Sequence, residues 1–278
     1  MRWTIVGVNK QGTREEQEDS FIILPKCDDN HQIKNEYLLV IGDGMGGQEN
    51  GKLASNELIK VAKHIWESEQ VNPTLLPQDL INTIINQAHN NIKKLREQFQ
   101  SNMGTTCVVL YVHNMQAWWA HVGDSRLYFI RDDKVLAQTV DHSVVQMLVS
   151  MGRISETEMR HHADRGRLLK NLGSKGEIDA EHGQVKLRAG DSFVLCTDGF
   201  WEYIPIRPLI FALKKYSVKK IANILARKAI EKGGNDSDNT TVIIAKSDIK
   251  QTSSLLDYIL LSSLFLFILY LIYISLSL

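Results

Sequence analysis

Hydrophobic positions open the chain in three short runs, residues 3–8, 20–24 and 37–41, with the lengths and residue types of β-strands. The period then changes. Leu53, Leu58, Ile59, Ala62, Ile65 and Trp66 share one face of a predicted helix over 51–68. Leu80, Ile84, Ile85, Ala88, Ile92 and Leu95 recur at the same spacing after Pro77, a residue suited to a first helical turn. Strand patterns return at 105–112, 117–122, 126–130 and 135–138, with His113-Asn114 and Asp132-Asp133 as turn material, and this predicts a meander. A short helix is expected over 142–151, and the His- and Arg-rich stretch that follows, to about 168, reads as a flap. Strands at 185–187 and 192–196, helices at 206–214 and 218–231, and a last strand at 240–245 complete the pattern. Strands in runs and helices in runs imply an α+β fold of antiparallel sheets covered by helices. So many apolar strands call for two sheets, with helices outside.

The end of the sequence breaks this pattern. Residues 258–278 carry no charged side chain. At ~1.5 Å per residue they would span about 30 Å as a helix, the thickness of a hydrocarbon core. We therefore expect residues 1–246 to form a catalytic domain, 247–254 a polar linker, and 255–278 a transmembrane tail anchor. The run 258–278 is apolar on every face, so a buried terminal helix there would need a partner all round it. Residues 1–5 enter a strand pattern directly and contain no apolar stretch of signal-peptide length. The expected location is the cytoplasmic membrane, with the domain in the cytoplasm and lipid as one partner.

Composition narrows the field. Lys and Arg total 32, as do Asp and Glu, so the overall basic excess that draws a protein to nucleic acid is missing and no nucleic-acid partner is expected. Cys27, Cys107 and Cys196 are too few and too scattered for a disulfide framework and read as reduced thiols.

The candidate chemistry lies in aspartates beside strands. Asp43-Gly44-Met45-Gly46-Gly47 closes an apolar run, and Gln17-Glu18-Asp19, Cys196-Thr197-Asp198-Gly199 and Asp236-Ser237-Asp238-Asn239 repeat the design of an acid beside a strand. One such aspartate is ordinarily a turn or cap residue. Four together suit a hard divalent cation, because Mg²⁺ and Mn²⁺ take oxygen ligands and Mg²⁺ keeps several waters. Zinc is disfavoured: the cysteines lie far apart, and His161 and His162 are adjacent in a polar stretch. Gly42, Gly44 and Gly47 also fit a dinucleotide fingerprint. That reading fails, since Asp43 would oppose a pyrophosphate, helix follows helix, and no acid ends a second strand about 20 residues on.

These motifs, with Arg14, Gly104-Thr105-Thr106, Gly123-Asp124-Ser125-Arg126, Asp141-His142, Leu172-Gly173 and Asp238-Asn239-Thr240-Thr241, occur in an order that resembles the metal-dependent Ser/Thr protein phosphatases of type 2C. The resemblance covers roughly residues 3–246. It implies an αββα four-layer sandwich with metals between the two sheets at one edge. It also implies roles. Asp43 bridges two ions of Mn²⁺ or Mg²⁺, the Gly44 carbonyl and Asp198 and Asp238 complete their ligands, and Asp19 reaches the site directly or through water. Asp141 aligns with the aspartate of a third, weaker metal in bacterial members. Arg14 holds the phosphate with a planar fork that Lys supplies less well. Two ions about 4 Å apart would activate a water for in-line attack. Asp124 and Arg126 read as shaping a strand turn. Met45 stands where animal members carry a His proposed as proton donor, as in bacterial members, so that proton must come from metal-bound water or from His161 or His162 on the flap. The implied substrates are phosphoserine and phosphothreonine proteins, with an opposing Ser/Thr kinase at the same membrane. The alternative is an inactive phospho-binding scaffold.

Overall fold

The structure, a computed structural model, describes residues 1–25, 36–47, 49–71 and 73–248. The expected transmembrane tail and Cys27 lie outside the described residues. Among the described residues no helix is long and apolar enough to cross a membrane.

Two five-stranded antiparallel sheets form the centre. The first runs β1 (Trp3–Lys10), β12 (Thr240–Ser247), β11 (Ser192–Cys196), β8 (Arg126–Arg131), β9 (Lys134–Gln138). The second runs β10 (Glu181–Lys186), β7 (Gln116–Val122), β6 (Cys107–His113), β3 (Glu36–Gly42), β2 (Ser20–Leu24). A two-stranded ribbon pairs β4 (Gly44–Met45) with β5 (Gly104–Thr105). Helices α1 (Asn50–Val71) and α2 (Pro77–Phe99) cover the second sheet, while α5 (Asp198–Trp201), α6 (Ile206–Lys215) and α7 (Val218–Gly233) cover the first. The flap carries α3 (Val144–Ser150) and α4 (Glu156–Met159).

Side-chain alternation explains the layering. In β3, Leu38 and Val40 face the helices, whereas Tyr37, Leu39 and Ile41 enter the space between the sheets. In β6 the same division separates Cys107, Val109 and Tyr111 from Val108, Leu110 and Val112. β11 and β12 repeat it on the other side: Val194, Cys196, Val242 and Ile244 meet α5, α6 and α7, while Phe193, Leu195, Ile243 and Ala245 face the opposite sheet. Strands apolar on both faces thus build three stacked cores, which is the expected αββα sandwich. Leu39, fully buried and paired with Leu110, sits in the middle core. Its truncation to Ala costs roughly 2–5 kcal/mol. All three cores lie within Met1–Asp248, a compact unit in its own right.

The expected meander over 105–138 is corrected to two hairpins in different sheets, β6–β7 in the second and β8–β9 in the first. The chain crosses from one sheet to the other through Gly123, Asp124 and Ser125. Gly123 has φ +101°, and a Cβ there would strike the Thr106 side chain. Local periodicity says which residues form a strand but not which sheet receives it. β10 differs from its expected position as well, because this polar edge strand begins at Glu181 and ends one residue before Leu187.

Candidate metal centre

The central strands leave the sheets at one common edge. β1 ends where β12 begins, Lys10 opposite Thr240, and β11 ends opposite Val242. Asp43 occupies the one-residue gap between β3 and β4, Asp198 opens α5 directly after β11 and Thr197, Asp238 immediately precedes Asn239 and β12, and Asp19 precedes β2.

Asp43 and Asp19 are held by hydroxyl and amide groups from neighbouring motifs. The Asp43 N–H donates to Thr106 Oγ1 at 2.9 Å, and its carbonyl accepts from the Thr106 N–H at 2.8 Å and Thr105 Oγ1 at 3.0 Å. Gly44 must be glycine: its N–H bonds the Glu18 carbonyl at 3.2 Å, and a Cβ would collide with the backbone of Gly51 and Glu18. Asp19 Oδ2 accepts from Thr197 Oγ1 at 2.8 Å and Thr241 Oγ1 at 2.7 Å. Thr197 Oγ1 in turn accepts the Thr241 N–H at 3.0 Å, so two strand ends and one carboxylate are fixed together.

Sequence reasoning gave Asn239 no role, yet it stitches the 11–18 loop to the site. Its Nδ2 donates to the carbonyls of Gln11 at 2.8 Å and Glu16 at 3.0 Å, and its Oδ1 accepts the Glu18 N–H at 2.7 Å. Only the grouping of Asn239 with Asp238 in one motif pointed towards it.

The electrostatics of this corner suit a cation. Among the described residues, four buried side-chain oxygens have no hydrogen-bond partner, and three of them belong to acids here: Glu18 Oε1, Asp19 Oδ1 and Asp198 Oδ1. An unpartnered buried carboxylate oxygen is costly unless a cation meets it. Burial, and then neighbouring carboxylates, push Asp19 up to about 7 and hold Asp43 well above the usual carboxylate range. Burial and Asp238 push Asp198 up to about 6, opposed by its hydrogen bond with Asp43. Hard-oxygen donors that raise one another's pKa and keep free oxygens fit Mn²⁺ or Mg²⁺.

The other expected site residues fall in different places. Arg14 is exposed and donates through Nη2 to Asp238 Oδ2 at 2.6 Å, which sets the expected phosphate fork against an expected metal ligand. Asp141 is not free. Arg126 grips both its oxygens, Nε to Oδ1 at 2.8 Å and Nη2 to Oδ2 at 2.7 Å, while stacking 3.5 Å over the Trp201 ring. Asp124, in the sheet crossing, adds to the burial and the Asp19 and Asp198 charges that raise Asp43, and is itself raised by burial and by Asp198. His161 is exposed, and His162 Nδ1 accepts the N–H of its own turn residue Asp164 at 3.1 Å. The flap instead reaches the shoulder of the site through Arg160, which donates to the Glu202 carbonyl at 3.1 Å and lies over Tyr203. Burial, followed by Asp198, pushes the Glu202 carboxyl up to about 7.

A brace fixes the sheet crossing. His121 stacks on His142 at 4.7 Å, Glu181 lies opposite His121 in the sheet, and the ligand atoms of the three fall within 4.8 Å of one another. The Gly123 N–H donates to His142 Nδ1 at 3.2 Å, which places the proton of the neutral ring on Nε2, where Glu181 Oε1 accepts it at 3.0 Å. The trio thus keeps a proton where a metal would require a lone pair.

Comparison with known proteins agrees with this geometry. The serine/threonine phosphatase Stp of Listeria monocytogenes is 29% identical over 224 residues, 78% of this chain and 87% of that protein. The crystal structure of the Mycobacterium tuberculosis serine/threonine phosphatase PstP/Ppp superposes with a TM-score of 0.76 at 27% identity, over 90% of this chain and 100% of that one. A PstP catalytic domain in complex with two manganese ions superposes with a TM-score of 0.74 at 26% identity, covering 89% of this chain and 99% of its own. A family profile described as protein phosphatase 2C matches residues 3–174, the span that holds Asp19, Asp43 and the sheet crossing. With that match and this arrangement of acids, the chain belongs to the protein phosphatase 2C family of metal-dependent Ser/Thr protein phosphatases.

Proposed function

We propose that the chain hydrolyses phosphoserine and phosphothreonine in proteins at a pair of Mn²⁺ or Mg²⁺ ions held by Asp43, Gly44, Asp198 and Asp238, with Asp19 supporting the site. The observation that carries this reading is the pair of buried, unpartnered oxygens, Asp19 Oδ1 and Asp198 Oδ1, in a cluster where burial and neighbouring charge make Asp19, Asp43 and Asp198 resist ionisation. The ions supply charge neutralisation and an activated water for in-line displacement. The chain's own residues orient the phosphate and the ligands. Arg14 offers a planar fork to phosphoryl oxygens and exchanges its contact with Asp238 for the substrate. Thr197 and Thr241 leave Asp19 one oxygen to give, and Thr105 and Thr106 fix the Asp43 backbone. A third, weaker ion belongs beside Asp124, with Asp141 acting on that position through Arg126 and not as a ligand. His161 and His162 serve as substrate contacts on the flap.

The enzyme opposes a Ser/Thr kinase at a membrane to which residues 255–278, uncharged from Tyr258 onward, anchor it. The test is hydrolysis of phosphoserine and phosphothreonine peptides with and without Mn²⁺, after verified metal removal. Phosphate release that needs Mn²⁺ and falls by orders of magnitude in Asp43→Asn supports the reading. Tight phosphopeptide binding without release would make the chain a scaffold.

A further inference from the structure

The formal charge of the chain is zero, yet residues 206–233 hold eight basic side chains, Arg207, Lys214, Lys215, Lys219, Lys220, Arg227, Lys228 and Lys232, against the single acid Glu231. A net +7 there leaves −7 for the rest. The charges are not scattered. In α7, Val218, Ile221, Ala222, Leu225, Ala226 and Ala229 are buried against the first sheet, so Lys219, Lys220, Arg227 and Lys228 all stand on the outward stripe. α6 buries Leu209 and Leu213 in the same core and turns Arg207, Phe211 and Lys215 outward.

Apolar groups are interleaved with the cations. Phe211 is 63% exposed, Ile224 51% and Tyr216 44%. Lys215 lies over both the Phe211 and Tyr216 rings, and Lys220 over Tyr216. Ile224, Arg227 and Lys228 line a shallow groove with Asn223 and Glu231. Lys214 pairs with Asp133 and Lys232 bonds the Tyr203 carbonyl, but among the described residues Arg207, Lys215, Lys219, Lys220, Arg227 and Lys228 have no ion pair.

The last strand ends beside these helices. Lys246, next to the end of β12, donates through Nζ to the Leu213 carbonyl in the last turn of α6 at 2.7 Å. Ten residues past Asp248 begins the uncharged run 258–278. Basic side chains and exposed aromatics share one surface, and the strand that precedes the uncharged run ends beside its helices. We infer that the outer face of α6 and α7 docks on anionic phospholipid headgroups, with Lys and Arg on the phosphates and Phe211, Tyr216 and Ile224 at the acyl boundary. This rests on the membrane residence proposed above and adds an orientation to it: the α6–α7 layer lies against the bilayer.

The test separates the face from the tail. A chain ending at Asp248 retains all three cores and is mixed with vesicles of phosphatidylcholine alone or with phosphatidylserine, alongside Lys219→Glu/Lys220→Glu/Arg227→Glu/Lys228→Glu in the same chain. Each basic residue near an anionic surface strengthens partition roughly fivefold. The expected result is sedimentation with phosphatidylserine vesicles at low salt, release at ~1 M salt where the Debye length is about 3 Å, and at least a hundredfold loss in the variant. Turnover of a soluble phosphopeptide should be unchanged in that variant, which shows it is folded. Equal binding to both vesicle types, equal binding by the variant, or retention by polyglutamate or RNA without vesicle binding overturns the inference. Insertion of the full chain into phosphatidylcholine vesicles tests the tail separately, and its failure leaves the result for the face standing.

Discussion

Asn239→Ala tests whether one buried amide positions the 11–18 loop that carries Arg14. Asn239 is 4% exposed and contributes three hydrogen bonds of 2.7–3.0 Å to residues 11–18. At about 1 kcal/mol net for each bond, with the Glu18 N–H left unpartnered, removal should lower unfolding free energy by about 3 kcal/mol. Other contacts limit the damage. Thr13 still bonds the Asn235 and Ser237 carbonyls, and Asp19 keeps Thr197 and Thr241. The loss therefore falls on the part of the loop that carries Arg14. If all of it went into freeing that loop, the local equilibrium would shift about a hundredfold. We expect KM for a phosphopeptide to rise at least tenfold, with a smaller fall in kcat at saturating Mn²⁺. Asn239→Asp keeps the acceptor for Glu18 and loses both donors, so it should fall between. Urea unfolding and steady-state kinetics provide the two readouts. A stability change under ~0.5 kcal/mol together with an unchanged KM would refute the reasoning and assign the loop geometry to Thr13.

Three further outcomes are expected. Arg126→Ala should destabilise the fold by about 3–5 kcal/mol in urea because it strands the buried Asp141, whereas Arg126→Met/Asp141→Leu should recover most of that. Arg14→Ala should raise KM for phosphopeptides, with Arg14→Lys restoring part of the loss; an unchanged KM at subsaturating substrate would return Arg14 to the solvated surface. For metal-free protein the sign of the pH dependence follows from raised folded-state carboxyls: between about pH 4 and 7 the unfolded chain releases the Asp19 proton while the folded chain keeps it, so stability falls as pH rises through that window. Melting temperatures across the window should show this slope. Asp19→Asn should lessen it, the remainder coming from Asp43, Asp198 and Glu202, and a slope unchanged in that variant would remove Asp19 from the account.

How much of this was legible depends on how far apart the interacting residues lie. The long helices and most strands declare themselves through Leu, Ile and Val periodicity, and their burial matches it. The acids at strand ends declare themselves through flanking Gly and Thr, whose reasons prove local: Gly44 has no room for a Cβ, and Thr106 caps the Asp43 N–H. The sheet crossing at Gly123 left no trace in periodicity, and this is why the meander expectation failed. The pairing of Asp141 with Arg126, fifteen residues away, was not legible because Arg126 lies on a strand whose destination periodicity does not give. α4 is different, because its signal was present and unused. Ser155 and Glu158 form a reciprocal capping box at the spacing that marks a helix start.

Strands shared by two apolar cores also dictate where chemistry can sit. Leu38, Leu39, Val40 and Ile41 are all fully buried, with alternate residues committed to different cores, so a polar side chain there would disrupt one core or the other. The first position at which β3 can place an acid is the residue after Gly42, where the chain leaves the sheet, and that residue is Asp43. The same holds for Asp198 after Cys196 and Thr197, and for Asp238 before Thr240. Because all these strand ends lie at one edge, the packing that excludes acids from the interior also gathers them at that edge. Their mutual repulsion opposes folding, and the apolar layers hold them close despite it. A divalent ion that binds only this folded arrangement removes the repulsion and adds its binding free energy to the stability of the fold. If the ions sit where we propose, stability and catalysis depend on the same carboxylates, and Mn²⁺ should raise the melting temperature of the wild-type chain more than that of Asp43→Asn.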